Sequence, residues 1–172
     1  MGHQPLSNIV LIGMMGTGKS TVGSLLAAET GLTLVDLDQR IAAEAGRTIP
    51  DLFAAEGEAY FRELESAALR RTLQERGIVL ATGGGAVLRE ENRLVMRDGG
   101  LVVALQATAA EIIARVGEDP GRPLLAGGAK ERVTALLEER KEAYTFAHLT
   151  IDTSGKSAEQ VAAEILTHYR GS

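Results

Sequence analysis

The sequence predicts an α/β domain in which a parallel sheet is covered by helices on both faces, and three observations predict it. Short apolar runs rich in Val, Ile and Leu recur at 8–12 (NIVLI), 33–37 (TLVDL), 77–81 (GIVLA), 101–105 (LVVAL) and 149–152 (LTID). They do not follow the polar–apolar alternation of a half-exposed sheet, and strands buried on both faces read this way. Longer helix-compatible segments lie between them, so strand and helix alternate along the chain. A glycine-punctuated turn ending in Lys-Ser stands between the first run and the first helical segment.

Bulk composition bounds the answer. A chain of 172 residues suits one domain, 1–172, and with 45% hydrophobic but only 3% aromatic residues its core must be aliphatic. The net charge of −5 argues against a broad electrostatic grip on nucleic acid or an anionic membrane. An anionic ligand must instead be held by a few positioned cations. The absence of cysteine excludes disulfides and thiolate metal sites. No signal peptide is visible and no apolar run approaches the length of a membrane span, so a cytoplasmic location is expected.

The first strand runs into Gly13-Met14-Met15-Gly16-Thr17-Gly18-Lys19-Ser20, which fits G-x-x-x-x-G-K-[ST], and a helix is predicted at 19–30. A chance match somewhere in a chain of this composition has odds of about 0.6%. Glycines allow successive backbone N–H groups to turn around phosphate oxygens, and the new helix aims its positive end at the same point. Lys19 would reach the β- and γ-phosphates, and Ser20 would offer its hydroxyl to Mg2+.

The second strand ends in Asp36 and Asp38, and a helix is expected at about 39–46. If strand geometry persists, both carboxylates face one side at the sheet's carboxyl end, where ligands of parallel α/β sheets bind. Asp36 would then serve a metal through water, and Asp38 would accept a proton or hydrogen bond from an acceptor hydroxyl. The alternative for Asp38 is a helix cap.

A helix at about 58–76 carries Arg62 on the face of Leu69 and Leu73. Its ordinary role would be a pair with Glu58 or Glu65, worth a few tenths of a kcal/mol. The third strand ends in Gly83-Gly84-Gly85. A turn needs one such residue, so three imply that something packs directly on the backbone. Helices are expected next at about 90–97 and 108–116, flanking the fourth strand. The segment 117–128 (GEDPGRPLLAGG) reads as a long loop, with Arg122 either solvated or carried on a lid over the γ-phosphate. In a predicted helix at about 130–146, Arg140 falls inside an apolar stripe of Val133, Leu136, Leu137, Ala143, Tyr144 and Ala147, where it needs an anion. Arg62 and Arg140 together are suited to clamp a carboxylate. The last strand and a helix at about 157–169 complete the chain.

Taken in order, GMMGTGKSTVG, the DLD pair, GEAYFRELE, the triple glycine, GRPLL and ERKEAY resemble the shikimate kinase family along nearly the whole chain. The resemblance implies a three-layer α/β/α P-loop fold of the nucleoside monophosphate kinase type, with a five-stranded parallel sheet and a mobile lid at about 117–128. It implies transfer of the γ-phosphate of ATP, with Mg2+, to the 3-hydroxyl of shikimate on the chorismate route to aromatic amino acids. A monomer is expected.

By that resemblance the acceptor side lies at about 36–62 and beyond. Asp38, Arg62, Gly84 and Arg140 match shikimate-binding positions, with Gly83 and Gly85 lining the same wall. Gly16, Thr17, Gly18, Lys19, Ser20 and Thr21 match the ATP site, and Ser20 and Asp36 the metal site. Arg122 matches the lid arginine and Arg115 a position near adenine, whereas His3, His148 and His168 match nothing catalytic. The rival readings are a kinase for another small hydroxy acid such as gluconate, or a catalytically silent nucleotide-binding regulator.

Overall fold

The positions of the apolar runs become strand positions almost residue for residue in the computed structural model, which describes residues 8–14, 17–116, 129–140 and 142–171. Strands β1 (Ile9–Ile12), β2 (Thr33–Asp36), β3 (Ile78–Ala81), β4 (Leu101–Gln106) and β5 (Leu149–Asp152) form one sheet in the order β2-β3-β1-β4-β5. Every pairing is parallel. Strand β1 lies at the centre with all four residues fully buried.

The helices are α1 (Lys19–Thr30), α2 (Leu37–Ala45), α3 (Ile49–Glu56), α4 (Glu58–Thr72), α5 (Glu90–Gly99), α6 (Ala109–Val116), α7 (Ala129–Arg140) and α8 (Ala158–Gly171). None of these helices is long and apolar enough to cross a membrane.

Period-two geometry sorts the apolar side chains into two layers. Ile9 and Leu11 of β1 join Val79, Val103 and Leu105 against Val22 and Leu26 of α1 and Val161 and Ile165 of α8. Val10 and Ile12 join Leu80, Val102 and Ala104 against residues of α2 to α7, among them Leu37, Ile41, Leu52, Leu69, Met96, Ile112 and Val133. The core is aliphatic, as the scarcity of aromatic residues requires.

Four expectations are corrected. The helix after β2 begins at Leu37, so Asp36 and Asp38 do not share a strand. Helix α3 was not expected. Thr48 caps it by accepting the Asp51 N–H, and Pro50 suits its first turn, but at eight residues it is too short for a clear apolar period. Helix α4 stops at Thr72 rather than near 76. The helix expected over 130–146 stops at Arg140, and Ala143, Tyr144 and Ala147 are reached through turns. Apolar residues at helical spacing packed on one core deceive the eye there, because the chain folds back and returns them to the same layer.

Parallel strands place their carboxyl ends along one edge. In register, Asp36 of β2 stands beside Ala81 of β3, and Leu11 of β1 also stands beside Ala81. The segments that follow β2, β3 and β1 are therefore neighbours, and these carry the Asp pair, the triple glycine and the phosphate loop.

Candidate active site

The phosphate side is built by one contiguous stretch. Gly13 has φ of 142°, and a Cβ there would lie 2.4 Å from the carbonyl oxygen of Leu105 at the end of β4. No side chain fits between the loop and β4. Thr17 is buried and donates its hydroxyl to the Met14 carbonyl at 2.7 Å, so its side chain holds the loop's shape. The Lys19 ammonium reaches back and donates to the carbonyls of Gly13 at 2.5 Å and Met14 at 2.9 Å.

Helix α1 starts after Gly18 with no side-chain cap and no acidic residue in its first turn. Each of α2 to α8 carries an Asp or Glu there, among them Asp38, Asp51, Glu58, Glu90, Glu111, Glu131 and Glu159. Helix N-termini attract negative charge, so α1 leaves its positive end for an anion from outside the helix. Ser20 and Thr21 lie exposed in that first turn.

The other side is assembled from distant segments on the Gly83–Gly85 backbone. A Cβ on Gly83 would lie 3.0 and 3.1 Å from the Asp38 carboxylate oxygens. A Cβ on Gly85 would lie 2.3 Å from Nη2 and 2.6 Å from Nη1 of Arg62. The Gly84 carbonyl accepts from the Tyr144 hydroxyl at 2.8 Å. Burial raises the Tyr144 phenol's titration, and the Arg140 guanidinium is near enough to draw it down against that larger rise. Thus α2, α4 and the segment after α7 all converge on three residues; a side chain at 85 would displace the Arg62 guanidinium, and one at 83 would crowd the Asp38 carboxylate.

Asp36, not Asp38, caps α2, accepting the Gln39 N–H at 3.1 Å. Asp38 lies in the first turn with one carboxylate oxygen buried. The cap follows from chain direction: Asp36 is the last extended residue, so its carboxylate reaches the amide three residues on.

Arg62 does pair with Glu58 at 3.3 Å and with Glu65 at 2.9 Å. The intrahelical role and the position on the triple glycine coexist. The pair with Glu65 is no surface bridge, because the Glu65 side chain is 1% exposed. Burial pushes its carboxyl above the usual range, opposed by Arg62, while Asp38 raises it further and Arg140 lowers it. Those influences link the four charged groups in one cluster.

The sequence marks Glu65 only as a partner for Arg62, yet its burial has a signal. Phe61 and Leu69, four residues on either side, are both buried apolar residues of the same helix face. In the sequence Tyr144 stands only as part of an apolar stripe. Its ring is indeed in the core, and its hydroxyl is not. Gly16 and Arg122, with the lid segment 117–128, lie outside the described residues, as does the side chain of Arg115.

The donor set suits a hard cation. Ser20 and Asp36 offer oxygen, and one Asp36 oxygen carries the Gln39 amide. No cluster of three or more His, Cys, Asp or Glu occurs among the described residues. Mg2+ fits such a setting, since it needs few protein oxygens and keeps water and nucleotide ligands.

The model of the family described as shikimate kinase matches residues 15–170. A shikimate kinase of Geobacter metallireducens is 46% identical over 165 residues, covering 95% of this chain and 92% of that one. Its counterpart in Geobacter sulfurreducens is 48% identical over 164 residues, covering 95% of this chain and 91% of the relative. The solved structure of shikimate kinase from Acinetobacter baumannii in complex with shikimate superposes with a TM-score of 0.90 at 38% identity, across 95% of this chain and 92% of that one. The five-stranded parallel P-loop architecture is thus that of known shikimate kinases, and the chain belongs to the shikimate kinase family.

Proposed function

We propose that this chain transfers the γ-phosphoryl group of ATP to the 3-hydroxyl of shikimate, forming shikimate 3-phosphate and ADP. Its family membership supports the reaction, and one observation supports the acceptor. The Asp38 carboxylate and the Arg62 guanidinium rest on the backbone of Gly83–Gly85, at the strand end next to the phosphate loop. An acceptor with a carboxylate at one end and a hydroxyl at the other meets cations at one end and a carboxylate at the other.

Phosphoryl transfer depends on positioning and charge neutralisation more than on covalent help. Lys19 leaves its loop carbonyls to meet the β- and γ-phosphates, while the first-turn amides of α1 and the residues at 16–18, 20 and 21 hold the rest of the triphosphate. Arg62 and Arg140 grip the substrate carboxylate against the glycine wall. Asp38 accepts the hydroxyl proton as the new O–P bond forms and the bond to the ADP oxygen breaks. Ser20 and, through water, Asp36 would hold Mg2+, which would offset charge on the β- and γ-phosphates. By the family resemblance, Arg122 is assigned to the charge on the γ-phosphate and Arg115 to the adenine. The enzyme works as a monomer.

The test is ADP release from ATP with shikimate, with gluconate and with no acceptor, followed by Arg140→Ala. Release that depends on shikimate, with a shikimate KM raised about 100-fold or more in the variant and an ATP KM nearly unchanged, is expected for a bidentate charged contact. Release with gluconate alone would point to the other hydroxy-acid kinase. Nucleotide binding with no release in any arm would point to a silent regulator.

A further inference from the structure

The acceptor side has three charged arms, and the geometry points to a separate device that aims the third of them. We propose that Tyr144 is a positioning residue for substrate binding: its hydroxyl accepts from the Arg140 guanidinium and donates to the Gly84 carbonyl, tying that cation to the glycine wall. The inference rests on the functional reading above and names a residue which that reading does not use.

Arg62 needs no such device. It is held within its own helix by Glu58 and Glu65 and lies over Gly85 directly. Arg140 is the last residue of α7. The Ala143 N–H donates to the Arg140 carbonyl at 2.9 Å, and this turn carries Tyr144 back toward the sheet. The Tyr144 ring is 6% exposed and belongs to the aliphatic layer.

A phenol hydroxyl both accepts and donates, which a guanidinium or a carbonyl alone cannot do. Arg140 offers only donors and the Gly84 carbonyl only an acceptor, so a hydroxyl set between them suits both at once. Burial holds the phenol's titration above its ordinary range, which keeps the proton that Gly84 accepts. One hydroxyl thereby references Arg140 to the same three-residue backbone on which Asp38 and Arg62 rest. Phenylalanine at 144 would keep the ring in the core and lose both bonds.

Tyr144→Phe separates positioning from packing. Wild type and variant are compared for shikimate KM, ATP KM, kcat and thermal melting. The expected result is a shikimate KM raised about tenfold, the scale of one hydrogen bond to a charged group. The ATP KM should stay within about twofold, with melting shifted by only a few degrees. In an Arg140→Lys background the same change should add less than about twofold, because coupled residues are not additive. A shikimate KM within twofold of wild type, a parallel rise in both KM values, full additivity, or a variant that no longer folds would each overturn the inference. Absence of shikimate-dependent ADP release by the wild-type chain would overturn the functional reading first, and this inference with it.

Discussion

The two halves of the candidate site are made in opposite ways. The phosphate loop is one continuous stretch, and its side chains (Thr17, Lys19) bond back to its own carbonyls. The glycine wall contributes almost nothing but absence: Gly83 and Gly85 make room for Asp38 and Arg62, which arrive from positions 45 and 23 residues earlier in the chain. A loop built from local backbone geometry needs its glycines for conformation. A wall built by convergence needs them for space.

The largest expected effect is on the phosphate side. Lys19→Ala should lower kcat about 1,000-fold, since it removes a positioned charge from the transferring group. Steady-state rates with ATP and shikimate check it, and near wild-type turnover would remove Lys19 from its role.

The same substitution made in both halves sharpens the contrast. Gly13→Ala would strain φ of 142° and press a methyl against the rigid Leu105 carbonyl. It should destabilise the fold by about 3 kcal/mol or more, read by denaturant unfolding. Gly85→Ala meets only the far end of a flexible arginine side chain. It should cost less stability and displace Arg62, raising the shikimate KM about 10- to 100-fold with the ATP KM unchanged. Equal stability losses in the two variants would erase the distinction between the loop's glycines and the wall's.

A smaller effect separates two duties at Asp36. Asp36→Asn keeps an oxygen for the Gln39 amide and should leave melting nearly unchanged while raising the Mg2+ concentration needed for half-maximal rate. Asp36→Ala should lose the cap as well, about 1 kcal/mol. An unchanged Mg2+ requirement in both would leave Asp36 as a cap alone.

The smallest effect lies outside the site. His148 Nδ1 accepts the Val102 N–H at 2.9 Å while the His148 N–H donates to the Val102 carbonyl at 3.0 Å. Accepting through Nδ1 requires a neutral ring. Partial burial, and then Arg97, hold its titration below the ordinary histidine range. The unfolded chain therefore takes up this proton first as pH falls. The contribution is complete above the ordinary histidine range and is lost as pH drops through it toward the folded value. Melting should decline slightly on acidification below neutrality, and His148→Gln should remove that part of the slope.

Much of this architecture was legible because its determinants are local. The five strands announce themselves as aliphatic runs, since a strand buried on both faces has no polar side to show. The phosphate loop is legible for the same reason, its residues being adjacent in the chain. Legibility fails where the chain folds back on itself. Tyr144 shares a helical spacing with Leu137 and Arg140, yet α7 has already ended, and a turn delivers its ring to the layer that the helix faces. Asp36 and Asp38 look like a strand pair, but α2 begins between them.

By itself the sequence determined the alternation of strand and helix, a phosphate loop at the end of the first strand, and the residue types an acidic acceptor needs. Only the tertiary structure decided that Asp38, Arg62 and the Tyr144–Arg140 pair meet on one glycine segment, and that Glu65 is buried among them. The reason is physical: a backbone conformation is encoded by neighbours in the chain, whereas a convergence of side chains depends on how parallel strands line up their ends.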